Sequence, residues 1–97
     1  MSIFNLFRLK PGARITGGTG ESMENAAVVK AATPEAGIPL EYDFIDTWCG
    51  RQGRSRKRVS QRLIRGDNGR FYDVLTVSLD DGATRDFYFD VTSFIGS

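Results

Sequence analysis

The most conspicuous chemistry in the sequence is a run of basic side chains between residues 51 and 65. This segment carries seven Arg or Lys and no acidic residue, whereas residues 66–97 carry six Asp and two Arg. Clustered cationic groups neutralise phosphates and bind nucleic acid in a salt-sensitive way. They also pair with carboxylates on proteins. The candidate binding residues are Arg51, Arg54, Arg56, Lys57, Arg58 and Arg62.

Three interpretations of this run stay open. It is a solvated loop and strand edge whose charges oppose aggregation, a nucleic-acid contact, or a docking surface for acidic groups. Those acids belong to a protein partner or to the chain's own C-terminal third, in which case we expect Arg62 to lie near Asp73. Tyr72 and Tyr88 share one face of the predicted sheet. They form a stacking surface for single-stranded nucleic acid or pack as half-buried sheet residues.

The sequence offers little for catalysis. It contains no His, so the commonest general base and transition-metal ligand are both missing. Cys49 is the single cysteine, which excludes an intrachain disulfide. The nearby Arg51 favours its thiolate and leaves a redox role open, whereas the default for such a residue is a small buried hydrophobe.

The carboxylates do not predict a metal site. Asp43 and Asp46 lie three residues apart on the predicted solvent side of a helix, and Asp80-Asp81 is typical of a turn. No calcium-loop pattern is present. The glycine-rich residues 16–22 lack the Lys-Ser/Thr of a phosphate-binding loop. We therefore expect no catalytic residues, no metal and no cofactor.

The elements that position these residues belong to one α+β domain, because 97 residues allow a single core. A helical stripe predicts one main helix at about 39–49, with Gly50 just beyond its end. Thr33-Pro34 also has the features of a helix start, but Gly37 and Pro39 favour the later one. The apolar stripe comprises Leu40, Phe44, Ile45, Trp48 and Cys49, and Glu41 falls mostly off it.

A C-terminal meander follows this helix. Alternating apolar residues predict strands at about 57–65, 70–79 and 84–90, joined by turns rich in Asp, Asn and Gly. Residues 26–32 weakly favour a further strand, because of their two valines. The helix therefore packs on a three- to four-stranded, mostly antiparallel sheet.

The second turn of the meander decides how its strands pair. A three-residue loop with Gly82 in the left-handed position places Leu75 opposite Phe87. This pairing is a better hydrophobic match than the one that a two-residue loop gives. We expect the helix stripe to cover Leu75, Val77, Phe87 and Phe89.

Residues 1–25 are predicted to be a flexible N-terminal segment of the same domain. Residues 12–25 are rich in Gly, Thr and Ser. Before them, the apolar residues 3–9 are interrupted by Arg8 and do not resemble a secretory signal. No apolar run is long enough to span a membrane, so a cytoplasmic location is expected. The apolar cluster or an exposed strand edge would allow a homo-oligomer.

The function that these patterns favour is that of a non-catalytic binding or adaptor module that contacts protein. A nucleic-acid-binding module that uses residues 51–65 is the first alternative, and a small enzyme is the second. The segregated charge and the lack of a catalytic constellation support this order.

Overall fold

The computed structural model describes residues 12–95; the apolar cluster predicted at 3–9 lies outside them. One long helix packs on an open five-stranded sheet. The elements are β1 (Arg14–Thr16), β2 (Ala27–Lys30), α1 (Pro34–Arg51), β3 (Arg56–Arg65), β4 (Phe71–Leu79), β5 (Thr84–Asp90) and α2 (Thr92–Ile95). The strand order is β1-β2-β5-β4-β3. Neither helix in this part of the chain is long and apolar enough to cross a membrane.

The α+β class with a mostly antiparallel sheet is confirmed, but the sheet has five strands and not three or four. The weakly predicted strand is present as β2, and it runs parallel to β5, with Ala27 opposite Phe89. The additional strand is β1, at the start of the glycine-rich stretch, and it pairs with β2 in antiparallel fashion. Its three residues are too few for an alternating pattern to be recognised.

The predicted register of the meander is confirmed. Leu75 lies opposite Phe87. The chain reverses through a three-residue loop, because the N–H of Leu79 donates to the carbonyl oxygen of Ala83 at 2.8 Å. Gly82 closes this loop with a φ of +89°, a conformation that side-chain-bearing residues rarely adopt. The turn chemistry and the hydrophobic match therefore specify the same pairing.

The helix begins five residues earlier than predicted. Thr33 is its N-cap, because its side chain accepts a hydrogen bond from the N–H of Ala36 at 3.3 Å. The helix continues through Pro39, whose missing N–H leaves one helical hydrogen bond unmade. Gly37 does not break the helix either. A Cβ at this position would lie 2.4 Å from a ring carbon of Phe94, so the glycine provides the space in which α2 packs.

The end of the helix also lies beyond the predicted position. Gly50 is inside α1, and the left-handed residue is Gly53, with a φ of +65°. The N–H of Gly53 donates to the carbonyl of Gly50, and the N–H of Arg54 donates to the carbonyl of Cys49. These two bonds form a Schellman motif. The basic run therefore starts at a capped helix end.

The core lies between α1 and one face of the sheet, as the stripe predicted. Phe44 packs edge-on against Phe89 with ring centroids 5.4 Å apart, and Trp48 packs in the same way against Phe87 at 5.4 Å. Leu75 and the other three predicted sheet residues are buried in this cluster. One residue contradicts the prediction: Glu41 is buried with 1% of its surface exposed.

Candidate functional site

The basic residues are distributed over three elements. Arg51 is the last residue of α1, Arg54 lies in the capping turn, and the others belong to β3. A bulge between Arg56 and Arg58 interrupts the pairing of β3 with β4. The side chains of the predicted set therefore do not converge on one point, and they line the end of the helix and one border of the sheet.

Half of this predicted set is paired with acids of the same chain. Arg54 forms a salt bridge with Asp81. Arg56 binds Asp46 through two hydrogen bonds, of 2.6 and 3.3 Å. These residues fasten the start of β3 to the second turn of the meander and to the helix.

Arg62 is the third paired residue, but its partner is not Asp73. Its guanidinium lies 3.5 Å from a carboxylate oxygen of Asp86 and donates to the hydroxyl of Thr76 at 3.2 Å. The register places Arg62 opposite Val74, on the face of the sheet away from α1. Asp73 lies on the other face, so the specific contact that we expected was wrong.

The remaining predicted residues are Arg51, Lys57 and Arg58, for which no salt bridge with a described residue is formed. All three side chains are exposed. Lys57 and Arg58 border a shallow hollow of about 380 Å³ beside Ser78 and Asp80. This end of β3 thus keeps its positive charge.

β3 is also an outer strand of the sheet, and no strand among residues 12–95 pairs with its outer side. Alternate residues of an antiparallel strand bond to the neighbour, and those between them direct N–H and C=O away. The N–H of Gly66 donates to the carbonyl of Arg70 at 2.8 Å, so Gly66 and every second residue before it bond to β4. The residues whose backbone groups point outward are Val59, Gln61, Leu63 and Arg65. We call this outer side of β3 the open edge.

The side chains along the open edge combine one apolar group with positive charge. Leu63 is the only large hydrophobic residue of the described part that is exposed, with 51% of its surface accessible. It lies on the same face of the sheet as α1, together with Val59. Arg58 and Arg62 project from the opposite face. Arg65 shares the face of Leu63, and Ile64 shares the face of Arg62, so both faces of the open edge carry positive charge and Leu63 supplies its exposed apolar group.

A buried pair of carboxyl groups lies beneath the open edge. Gln61 donates through Nε2 to a carboxylate oxygen of Asp73 at 3.0 Å. Asp73 in turn faces Glu41 of the helix, and burial, with the neighbouring Asp73 as the second cause, raises the pKa of Glu41 to about 9. Among residues 12–95, no donor lies within hydrogen-bond distance of either carboxyl oxygen of Glu41 to stabilise its ionised form. The raised pKa therefore keeps Glu41 protonated at neutral pH.

One usable signal for the burial of Glu41 was present in the sequence. Glu41 precedes Ile45 by four residues and Cys49 by eight, which places it on the buried side of the helix. This spacing was overlooked because a charged residue is not expected on the buried side of a helix. The sequence also did not predict an apolar groove lined by Phe44 and Trp48 of α1 and by Ile15 of β1, because β1 itself was not predicted.

Cys49 is a buried free thiol. Burial raises its pKa, and the nearby Asp46 acts in the same direction. The cation that opposes this shift is Arg56 and not Arg51, and its effect is smaller. The arrangement disfavours the reactive thiolate, and Cys49 packs as part of the core.

The two tyrosines do not form an exposed stacking surface. Tyr72 is buried, and its hydroxyl accepts a hydrogen bond from Asn68 at 3.0 Å. Tyr88 is half-buried, and its backbone N–H donates to the carbonyl of Gly20. The packing alternative is therefore the one that the structure supports for both residues.

Residues 12–95 contain no group of three Asp, Glu, Cys or His close enough together to hold a metal ion. Comparisons with protein-family models, with curated proteins and with solved structures gave no match.

Proposed function

We propose that this chain is a non-catalytic binding module that captures an extended, acidic segment of a partner protein by adding it as a strand to the open edge. The observation that carries the proposal is the combination of an unpaired outer strand and a run without acidic residues. Strand addition takes its affinity from backbone hydrogen bonds and its specificity from side chains that alternate between two faces.

The two faces define the chemistry of the partner. Side chains of an added strand that point to the α1 face would lie beside Leu63 and Val59, and apolar residues fit there. Those on the other face would lie beside Arg58, which forms no salt bridge with a described residue, and carboxylates fit there. The partner segment therefore alternates apolar and acidic residues.

A second copy of the same chain fits the open edge less well. β3 contains five basic residues and no acid, so two copies would bring like charges together. Single-stranded nucleic acid is the other alternative, but of the two tyrosines that would stack on bases, Tyr72 is buried and Tyr88 is half-buried. A cytoplasmic location stays a prediction.

The proposal can be tested with a dye-labelled peptide of alternating Glu and Val residues. The matched control is a peptide of the same composition in which the Glu and Val residues form separate blocks. We expect fluorescence anisotropy to show binding of the alternating peptide and at least about tenfold weaker binding of the block peptide, since only one can place both residue types on their proper faces.

Two pairs of variants separate the contributions of charge and backbone. Arg58→Glu should weaken binding by about threefold to tenfold, whereas Arg14→Glu, the same charge reversal on β1 at the opposite border of the sheet, should leave it unchanged. Leu63→Pro removes an outward N–H, and Leu63→Thr removes only the apolar side chain. The proline variant should bind more weakly than the threonine variant by about fivefold.

Amide hydrogen exchange of the unaltered protein tests the same site without a substitution. Saturating peptide should slow exchange at the amides of Val59, Gln61, Leu63 and Arg65. The proposal is refuted if the two peptides bind equally or if the exchange pattern does not change. It is also refuted if the peptide does not bind and a single-stranded oligonucleotide binds in a way that Arg58→Glu abolishes. A dimer that protects these amides without peptide would refute it as well.

A further inference from the structure

A groove on the other side of the molecule has the properties of a small-ligand site. Its volume is about 500 Å³, within the usual range for pockets that hold small molecules. One wall is a stripe of α1 that contains Leu40, Phe44 and Trp48, and the opposite wall contains Ile15 of β1. The groove is remote from the open edge, because β1 and β3 are the two borders of the sheet.

The walls of this groove are held apart by packing. Phe44 and Trp48 are each wedged edge-on against a phenylalanine of the sheet. On the other side, Gly18 has a φ of +70°, and a Cβ there would lie 2.0 Å from the carbonyl oxygen of Ala26. The loop is further fixed by the N–H of Gly20, which donates to Asn25 at 2.7 Å. The groove is therefore preformed, and a ligand does not have to open it.

Charge distinguishes the two ends of the groove. Asp43 and Arg51 both line it and are separated by eight residues of the helix, or about 12 Å. Arg51 forms no salt bridge with any residue from 12 to 95. The end of the groove at Arg51 is therefore positive.

We infer that this groove binds a small amphipathic anion, such as an aromatic carboxylate or sulfonate. The apolar body lies on Phe44 and Trp48, and the anionic group lies at Arg51. The capping bonds at the end of α1 occupy the last helical carbonyls, so the guanidinium of Arg51 is available to the ligand. This site does not depend on the strand-addition function proposed above.

The test uses 1-anilinonaphthalene-8-sulfonate, which has an apolar aromatic body and one sulfonate. N-phenyl-1-naphthylamine is its uncharged counterpart. Trp48 is the only tryptophan of the chain and lies in the groove, so energy transfer from it to the probe reports binding at this place. We expect one bound sulfonate per chain, with quenching of Trp48 emission, and binding of the uncharged probe that is about tenfold weaker.

Arg51→Gln should weaken binding of the sulfonate by about tenfold and change binding of the uncharged probe by less than twofold. Arg54→Gln is the matched control, because Arg54 does not line the groove. The inference is overturned if both probes bind equally, if Arg51→Gln has no effect on binding of the sulfonate, or if neither probe changes the emission of Trp48. The last result would show that the groove is closed to ligands in the intact chain. Circular dichroism melts verify that each variant is folded.

Discussion

Replacing the buried carboxyl group of Glu41 with an amide should stabilise the protein at neutral pH. The pKa of Glu41 rises from 4.5 to about 9 on folding, first because of burial and second because of Asp73. Between these values the unfolded chain has released the proton and the folded chain retains it. The free energy of unfolding therefore falls by about 1.4 kcal/mol for each pH unit. The loss reaches about 3 kcal/mol at pH 7 and about 6 kcal/mol at pH 9.

Glu41→Gln cannot ionise and preserves the shape of the side chain, so it escapes this loss. We expect similar stabilities for the variant and the natural chain near pH 4.5, and a difference of about 2–3 kcal/mol in favour of the variant at pH 7. Urea denaturation monitored through Trp48 at pH 5, 7 and 8.5 measures the difference. Glu24→Gln, at an exposed loop position, is the control and should follow the natural chain. Parallel pH profiles for Glu41→Gln and the natural chain would show that Glu41 does not hold its proton.

Two further outcomes follow from local packing and ion pairing. Gly37→Ala should destabilise the fold by about 1–3 kcal/mol, because the added methyl group clashes with Phe94. Gly50→Ala, in open space on the same helix, should stabilise the fold by about 0.5–1 kcal/mol when both variants are compared by thermal melts. Equal effects of the two substitutions would contradict the close approach of α2 to Gly37. Burial raises the pKa of Asp90, but hydrogen bonds from Arg70 and from Thr92 outweigh it and hold this pKa below its usual value. A lowered pKa stabilises the folded state only while the group is ionised. Arg70→Gln should therefore lower the free energy of unfolding by about 1 kcal/mol at pH 7 and leave it unchanged once acid has protonated Asp90. A decrease that stays constant down to pH 2 would contradict this role of Arg70.

The meander could be predicted in detail because its information is local. The turn residue Gly82 and the match of Leu75 with Phe87 lie within a dozen residues of each other, and both specify one register. The helix bounds could not be predicted in the same way. Gly37 and Pro39 are helix breakers by their intrinsic preference, and only the presence of Phe94, more than fifty residues later, explains the glycine.

The candidate site was predictable in composition and not in arrangement. The sequence identified the basic residues, but not that Asp46, Asp81 and Asp86 pair with three of them, since each pair joins two different elements whose relative placement depends on the tertiary structure. Glu41 was missed because burial of a carboxyl group depends on a neighbour, Asp73, that only the tertiary structure supplies. The groove depends on β1, for which three residues give no periodic signal.

The open sheet also bears on how copies of the chain avoid assembling into filaments. Its two borders are different strands, so contact between β1 of one copy and β3 of the next would be head-to-tail and would build a ring or an open filament, not a two-fold dimer. Two features oppose such growth: β1 offers only three residues, and Arg14 on it meets the basic residues of β3. The same positive charge that we propose selects an acidic partner thus keeps the borders of neighbouring copies apart.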